Sequence, residues 1–296
     1  MRLASYGADA QPVVILDDRV HAFARLDARL PGSLLELLAL GAAGMDGLRD
    51  ALRNAGDGEA LDPSQLQAPL RRPGKFMGIG FNYSSHVEEV RRKGHPIPDL
   101  SNQVWFNKQT TCIVGPFDAI HVPAISDQLD YEAELAVVIG RRCRHVRAEE
   151  AFRVIAGYMV TNDVSVRDWQ LKAPTATLGK SFDTHGPTGP WLTTADEVAD
   201  PEALGIRTLV NGVVKQDGST GEMVNGIAAQ IAYLSQVVTL EPGDVIATGT
   251  PHGVAAGRTP VEWLRAGQTV RIEIDGLGHL ENPVIAEPLA ETTFIV

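Results

Sequence analysis

Acidic side chains alternate with other residues at the start of a stretch rich in β-branched residues. Asp130, Glu132 and Glu134 precede the apolar run 135–139, and side chains alternate between the two faces of a strand, so these three carboxylates point the same way. Both faces continue with apolar residues, which predicts a strand buried on both sides. A divalent cation between Glu132 and Glu134 would remove the repulsion between them. A solvent-facing acidic edge is the alternative interpretation.

A third carboxylate ends another apolar stretch, residues 157–162, in the form of Asp163. Ligand sets made only of oxygen suit Mg²⁺, Mn²⁺ or Ca²⁺ better than Zn²⁺, and three carboxylates leave positions for water and a chelating substrate. No pair of cysteines or histidines, His95 included, has the spacing of a zinc site. The sequence therefore predicts Glu132, Glu134 and Asp163 as ligands of a divalent cation.

A histidine and a glutamate, His86 and Glu89, stand three residues apart, which places them on one face of a single helical turn. A carboxylate partner orients an imidazole and raises its basicity, as general-base catalysis requires. An isolated histidine is more often a surface or core residue. The spacing alone leaves both interpretations open.

Three further polar residues could contact an anionic substrate. Lys180 could donate to a developing anion or be an ordinary surface lysine. Arg167 could bind a carboxylate through two hydrogen bonds or pair with the adjacent Asp168. Thr250 lies in a glycine-rich loop where donors could approach a ligand closely, although Gly249 could equally serve a tight turn.

Composition excludes several classes of protein. The net charge of -11 argues against nucleic-acid binding. No apolar run approaches the roughly 20 residues that a membrane-spanning helix needs. The first residues contain no secretory signal, and the two cysteines, Cys112 and Cys143, lack a C-x-x-C spacing. We expect a cytoplasmic protein with reduced cysteines, no membrane contact and a small-molecule partner.

The elements that must position these residues are mainly strands. A hairpin at 13–23 and two helices, one beginning near Ser33 and one covering Met45 to Asn54, predict a small N-terminal α/β accessory domain over residues 1–70. Residues 71–296 form the predicted catalytic domain, with helices near 148–156 and 223–238. Many short strands and few helices indicate a β-rich α+β fold.

Four motifs in order resemble those of the fumarylacetoacetate hydrolase family, over about 75–283. They are the metal residues Glu132, Glu134 and Asp163, the segment Gly80–Glu89, the block Gly179–Asp183, and the loop Thr248–Val254. The resemblance implies a mixed β-sandwich roll, a homodimer and a bound Mg²⁺, Mn²⁺ or Ca²⁺. It implies that His86 and Glu89 form a catalytic dyad and that Lys180 is the active-site lysine.

The resemblance also implies the chemistry. Its acylpyruvate hydrolase and 2-hydroxyhepta-2,4-diene-1,7-dioate isomerase-like branch favours hydrolysis of a carbon–carbon bond in a 2,4-diketo acid, giving pyruvate and a carboxylic acid. We expect Tyr83, Arg167, Gln170 and Thr250 to bind this 2-oxo acid. Phe81 departs from the family, because a basic residue is common at its position, and residues 91–100 have no clear counterpart.

Two alternatives to this hydrolysis stay open. The same metal site could decarboxylate oxaloacetate, or isomerise or hydrate a 2-hydroxydienoate, because the fold does not fix the reaction. A more remote alternative is a non-catalytic module that binds Ca²⁺ without an open pocket. All the enzymatic hypotheses require the three carboxylates to meet, and a lysine ammonium in place of the ion would remove their centre.

Overall fold

Strands are the main elements of the computed structural model, which describes residues 1–94 and 96–295; the statement about His95 lies outside the described residues. In chain order the strands are β1 (Arg2–Tyr6), β2 (Gln11–Leu16), β3 (Arg19–Ala22), β4 (Glu59–Ala60), β5 (Leu66–Gln67), β6 (Phe76–Gly80), β7 (Val104–Asn107), β8 (Ile113–Val114), β9 (Ile120–Val122), β10 (Leu129–Asp130), β11 (Ala133–Ile139), β12 (Ile155–Asn162), β13 (Ser165–Val166), β14 (Gly186–Thr194), β15 (Gly205–Val210), β16 (Val213–Ser219), β17 (Val245–Ala247), β18 (Thr269–Ile274) and β19 (Gly278–Ala286). The predicted β-rich α+β fold is confirmed.

The helices are short and few. They are α1 (Phe23–Leu26), α2 (Leu34–Ala39), α3 (Gly41–Leu52), α4 (Ser84–Arg92), α5 (Arg167–Gln170), α6 (Ile227–Val237) and α7 (Leu289–Thr292), with 3₁₀ helices at Pro63–Gln65, Thr110–Cys112, Ala148–Val154, Thr177–Lys180, Ala195–Glu197, Thr220–Glu222 and Ala255–Gly257. None of the helices that the structure describes has the length and apolar character needed to cross a bilayer.

Helix boundaries depend on capping partners that are partly distant in sequence. Ser33 caps α2 as predicted, because its hydroxyl accepts from the Glu36 amide. The helix predicted from residue 223 begins only at Ile227, whose amide donates to the Glu202 carboxylate at 2.6 Å. The helix predicted at 148–156 is a 3₁₀ helix.

One large sheet forms the centre of the fold. Its strand order is β4-β3-β2-β1-β14-β12-β11-β17-β6-β7, with β5 paired to β1 and β8 to β14. A second sheet has the order β16-β15-β18-β19-β9. The pairing of β1 with β14 makes the large sheet continuous across residue 70, and a domain boundary there stays a prediction.

Strand β11 lies in the middle of the large sheet and is buried on both faces, as predicted. Leu135 and Val137 belong to a core shared with α6 and the second sheet, whereas Ala136 and Val138 contact the core that includes α2 and α3. Glu134 precedes Ala136 on the second of these faces. Helices and sheet therefore enclose the strand that carries the acidic residues.

Candidate active site

The three predicted metal ligands meet where β11 begins and β12 ends. These strands run antiparallel, with Ala133 opposite Asn162, so the residues flanking that pair are brought together. One carboxylate oxygen each from Glu132, Glu134 and Asp163 lies within 4.8 Å of the others. All three side chains are buried. The ends of two consecutive antiparallel strands thus form one acidic cluster.

A lysine ammonium lies against two of these carboxylates. Lys180 Nζ donates to Glu132 Oε2 and to Asp163 Oδ2, both at 2.6 Å. Lys180 is 2% exposed, so the surface-lysine interpretation is wrong. The ammonium thus contacts two of the three predicted metal ligands but not Glu134, so an ion held by the cluster would have to share Glu132 and Asp163 with it. Glu134 accepts instead from the Gly249 amide at 2.8 Å.

A second buried lysine and an arginine complete the surroundings of the carboxylates. Lys108 Nζ donates to Asp163 Oδ1 at 2.6 Å and also to the Lys180 carbonyl. Arg167 donates from one nitrogen to Glu132 Oε1 at 2.6 Å and from another to Asp130 Oδ2 at 2.8 Å. Arg167 therefore pairs with Asp130 and Glu132 and not with its neighbour Asp168, which accepts from Ser126.

The charges of these groups leave one carboxylate without a cation. Asp130, Glu132, Glu134 and Asp163 face three cationic side chains, those of Lys108, Arg167 and Lys180. Burial raises the pKa of Glu132, but the charges of Lys180 and Arg167 outweigh it and hold this pKa well below its usual range. Burial and the carboxylates of Asp163 and Glu132 raise the pKa of Glu134 well above its usual range.

Whether a divalent cation fits the site depends on the donor atoms and on the carboxylate that has no cationic partner among the described residues. Three buried carboxylates supply hard oxygen donors, and each oxygen has a second lone pair available after one hydrogen bond. A divalent ion would favour the ionised form of Glu134, which burial and the neighbouring carboxylates disfavour when no cation is bound. The donor set therefore fits Mg²⁺, Mn²⁺ or Ca²⁺, with Glu132, Glu134 and Asp163 as the residues that would hold it.

The predicted dyad lies on the first turns of α4. His86 Nδ1 is 3.0 Å from Glu89 Oε2, and Glu89 Oε1 accepts from the Gly253 amide at 2.9 Å. Burial raises the pKa of Glu89, but these two hydrogen bonds outweigh it and lower the pKa. Glu89 is therefore an ionised acceptor that holds a proton on Nδ1 of His86. The lone pair is then left on Nε2.

His86 of the dyad and two carboxylates of the acidic cluster line the same cavity, which has a volume of about 380 Å³. His86, Glu132, Glu134 and Lys180 all contribute to its wall. The hypothesis of a non-catalytic Ca²⁺-binding module predicted no open pocket, and this cavity therefore argues against it.

The predicted substrate-binding residues divide into two groups. Arg167, Gln170 and Thr250 line the cavity, and Gln170 Oε1 accepts from Arg167 at 2.8 Å. Tyr83 is fully buried and is absent from the cavity wall. A substrate contact by Tyr83 stays a prediction that this geometry does not support.

Three buried residues that support the site were not predicted to have this role. Lys108 donates to Asp163, and Asp130 accepts from Arg167. Gln216, from the second sheet, donates to Thr250 Oγ1 at 2.9 Å and accepts from the Ala133 amide at 3.0 Å. Asp130 had a signal in the acidic alternation, whereas Lys108 and Gln216 have no local pattern that marks them.

Comparisons with known proteins point to one family. The family model for the C-terminal part of fumarylacetoacetate hydrolase matches residues 75–285. The mitochondrial oxaloacetate tautomerase of Xenopus laevis is 42% identical over 261 residues, which are 88% of this chain and 80% of that protein.

Two solved structures share the fold. Maleylpyruvate hydrolase from Sphingobium, in complex with manganese(II) and pyruvate, has a TM-score of 0.79 and 31% identity, covering 97% of this chain and 99% of that chain. The 5-carboxymethyl-2-hydroxymuconate delta-isomerase from Mycobacterium smegmatis has a TM-score of 0.74 and 33% identity, again covering 97% and 99%. Both hydrolases and isomerases therefore occur among the structural neighbours.

Proposed function

Because the chain belongs to the fumarylacetoacetate hydrolase family, we propose that it hydrolyses a carbon–carbon bond of a 2,4-diketo acid. The products are pyruvate and a carboxylic acid. One observation carries this proposal: His86, which Glu89 holds from behind, lines the same cavity as Glu132 and Glu134 of the acidic cluster. A base able to activate water thus faces a site able to hold the 2-oxo acid end.

The protein's own residues account for binding and proton transfer. Arg167 and Lys180 line the cavity and donate to anionic oxygens, so they are the groups that would orient the substrate carboxylate. His86 Nε2 would take a proton from water while the oxygen bonds to the C4 carbonyl carbon. The C3–C4 bond then breaks, and C3 gains a proton to give pyruvate.

A divalent cation fits the carboxylates of Glu132, Glu134 and Asp163. When bound, it supplies Lewis-acid stabilisation of developing negative charge, a contribution of several kcal/mol. The manganese(II) in the Sphingobium maleylpyruvate hydrolase supports a metal requirement here. We include Mg²⁺ and Ca²⁺ in the proposal, since all three ions prefer oxygen ligands.

Keto–enol tautomerisation of oxaloacetate is a second candidate. The 42% identity with the Xenopus laevis oxaloacetate tautomerase favours it, and a base beside a 2-oxo acid site could move the C3 proton without any attack by water. Decarboxylation of oxaloacetate and isomerisation of a 2-hydroxydienoate would use the same carboxylate cluster, so the same experiment must include them.

The experiment is a substrate panel with purified protein. Acylpyruvates, oxaloacetate and a 2-hydroxydienoate are assayed for pyruvate release and for loss of enol absorbance, before and after EDTA and with Mg²⁺, Mn²⁺ or Ca²⁺ added back. The proposal expects pyruvate from acylpyruvates that EDTA abolishes. Activity unaffected by EDTA, with no ion bound in calorimetry, would make Lys180 the resident cation of the cluster.

Substitution of the base separates the candidates. His86→Ala should remove hydrolysis, because no other described side chain of the cavity wall is a histidine. His145→Asn is the matched control, since His145 is exposed and its backbone has a positive φ that asparagine tolerates. If His86→Ala still decarboxylates oxaloacetate, the result would favour decarboxylation, which does not need this base, over hydrolysis. The same preparations test the expected homodimer by light scattering.

A further inference from the structure

One wall of the active-site cavity is apolar, and it comes from elements outside the acidic cluster. Phe81 follows β6, Val104, Trp105 and Phe106 belong to β7, and Leu171 and Pro174 follow α5. Lys180 Nζ lies 4.8 Å above the Phe106 ring, so this wall begins directly beside the cluster. A substrate held at its 2-oxo acid end must place its remaining atoms against this surface or towards solvent.

The cations of the cavity wall are already engaged. Among the described residues that line it, the arginine and lysine side chains are Arg167 and Lys180. Arg167 is bonded to Asp130 and Glu132, and Lys180 to Glu132 and Asp163. A second carboxylate on the substrate would find no additional cation in this wall.

The polar atoms of the wall are also partly satisfied from within the protein. The Trp105 indole N–H donates to Gln103 Oε1 at 3.0 Å, so the ring rather than the N–H group is what the wall offers. Gln170 Oε1 is engaged by Arg167, and Thr250 Oγ1 accepts from Gln216. Phe81, placed at a position with φ of 56°, extends the apolar surface.

We propose that the acyl group released by this enzyme is uncharged and apolar, and that Phe81 and Leu171 help to select it. This inference rests on the proposed hydrolysis. Water adds to C4 of R–CO–CH₂–CO–COO⁻, the C3–C4 bond breaks, and R–COOH and pyruvate leave; R lies against the apolar wall. A diacid would have to place its second carboxylate against these apolar side chains with no cation of the described wall beyond Arg167 and Lys180 to pair with it, which is unfavourable.

The test compares two substrates of equal chain length. In 2,4-dioxoheptanoate the far end is a methyl group, and in 2,4-dioxoheptanedioate it is a carboxylate. We expect kcat/KM to favour the monoacid by about tenfold or more. Equal or better turnover of the diacid would overturn the inference while leaving hydrolysis itself established.

Binding of the two compounds to a variant without His86 tests this inference separately from the proposed hydrolysis. Calorimetry with His86→Ala protein and Mn²⁺ gives Kd values for both compounds whether or not the wild type cleaves them. Tighter binding of the monoacid supports the apolar site. If wild-type protein cleaves neither compound, the proposed hydrolysis fails, and the ratio of Kd values still decides this inference.

Two substitutions introduce a cation into the wall. Leu171 is 82% exposed, so Leu171→Arg is compatible with folding, and Leu171→Met is its apolar control. Phe81→Arg, with Phe81→Leu as control, does the same at the segment that follows β6. Each arginine should move the kcat/KM ratio towards the diacid by about tenfold, and each control should keep the wild-type preference. Ratios unchanged by both arginines would show that neither segment contacts R.

Discussion

His86 Nδ1 and Glu89 Oε2 lie 3.0 Å apart on α4, and Glu89 is also held by the Gly253 amide. The carboxylate therefore fixes both the ring orientation and the tautomer of His86. Glu89 acts through His86 rather than on the substrate, which makes it a positioning residue.

Replacement of this positioning residue should lower turnover more than binding. We expect Glu89→Gln to reduce kcat about a hundredfold with little change in KM, because the imidazole loses the anion that stabilises its protonated form. The kcat profile against pH should shift as well, which a purely structural defect would not cause. Glu88→Gln is the matched control, since Glu88 is exposed and pairs only with Arg91 among the described residues. Equal losses in both variants would contradict the assignment.

Replacing Glu132 and replacing Glu134 by glutamine should have different effects on the stability of the metal-free protein. Glu132→Gln leaves Lys180 and Arg167 short of a partner in a buried site, so we expect the metal-free protein to be destabilised by about 3 kcal/mol. Glu134 lacks a cationic partner among the described residues and its pKa lies well above its usual range, so Glu134→Gln replaces a carboxyl group whose anion is already disfavoured and should leave the metal-free protein about as stable as wild type.

Chemical unfolding with and without Mn²⁺ measures both effects. In wild type the ion should raise the free energy of unfolding according to its affinity. This increase should vanish in Glu134→Gln, because one of the three ligands is lost. If Mn²⁺ stabilised wild type and Glu134→Gln equally, the ion would be bound elsewhere.

The site shows which features a sequence alone can supply. The three-residue spacing of His86 and Glu89 follows from local geometry, and the structure has both residues on one helix. Glu134 lies on β11 as the alternation predicts, whereas Glu132 immediately precedes that strand. The meeting of Asp163 with Glu132 required the register of β11 against β12. The position of Asp163 at the end of an apolar stretch suggested it as a third ligand and the family resemblance supported this set, but neither gives the register.

Other contacts depend on topology that no local pattern encodes. Gln216 reaches Thr250 and Ala133 from the second sheet, and Lys108 reaches Asp163 across residues far apart in the chain. Lys180 ends a short 3₁₀ helix, so its burial between two carboxylates arises from packing rather than from amphipathic periodicity. Local sequence patterns do not predict long-range packing contacts of this kind.

His185 should make the fold sensitive to mild acid. The side chain is fully buried, with Nε2 2.8 Å from the His121 carbonyl, and burial lowers its pKa to about 3. The unfolded chain binds a proton near pH 6.5, whereas the folded chain stays neutral, so stability is full above pH 6.5 and falls as the pH drops towards 3.

The expected loss from this histidine is roughly 2 kcal/mol between about pH 7.5 and pH 5. Urea unfolding at the two values measures it, with His185→Gln as the comparison, since glutamine has an amide donor and does not titrate. The variant should lose less stability over this interval than wild type. An identical loss in the two proteins would mean that other groups cause the acid sensitivity.

Gly179 joins the lysine block to α5 through direct backbone contact. A Cβ atom at this position would lie 2.2 Å from the Gln170 nitrogen and 2.3 Å from its Cα. We therefore expect Gly179→Ala to separate the two segments, lowering the free energy of unfolding by about 1–3 kcal/mol. Activity should fall too, because Lys180 and Gln170 both move relative to the cavity.

Gly47→Ala is the control for this substitution: nothing lies within 4 Å of its Cβ in α3, and alanine there should add about 1 kcal/mol of stability. Urea unfolding and the pyruvate assay are run on both variants beside wild type. Full activity and stability in Gly179→Ala would show that the contact with Gln170 does not position Lys180, because the added methyl group would then have been accommodated without moving either segment.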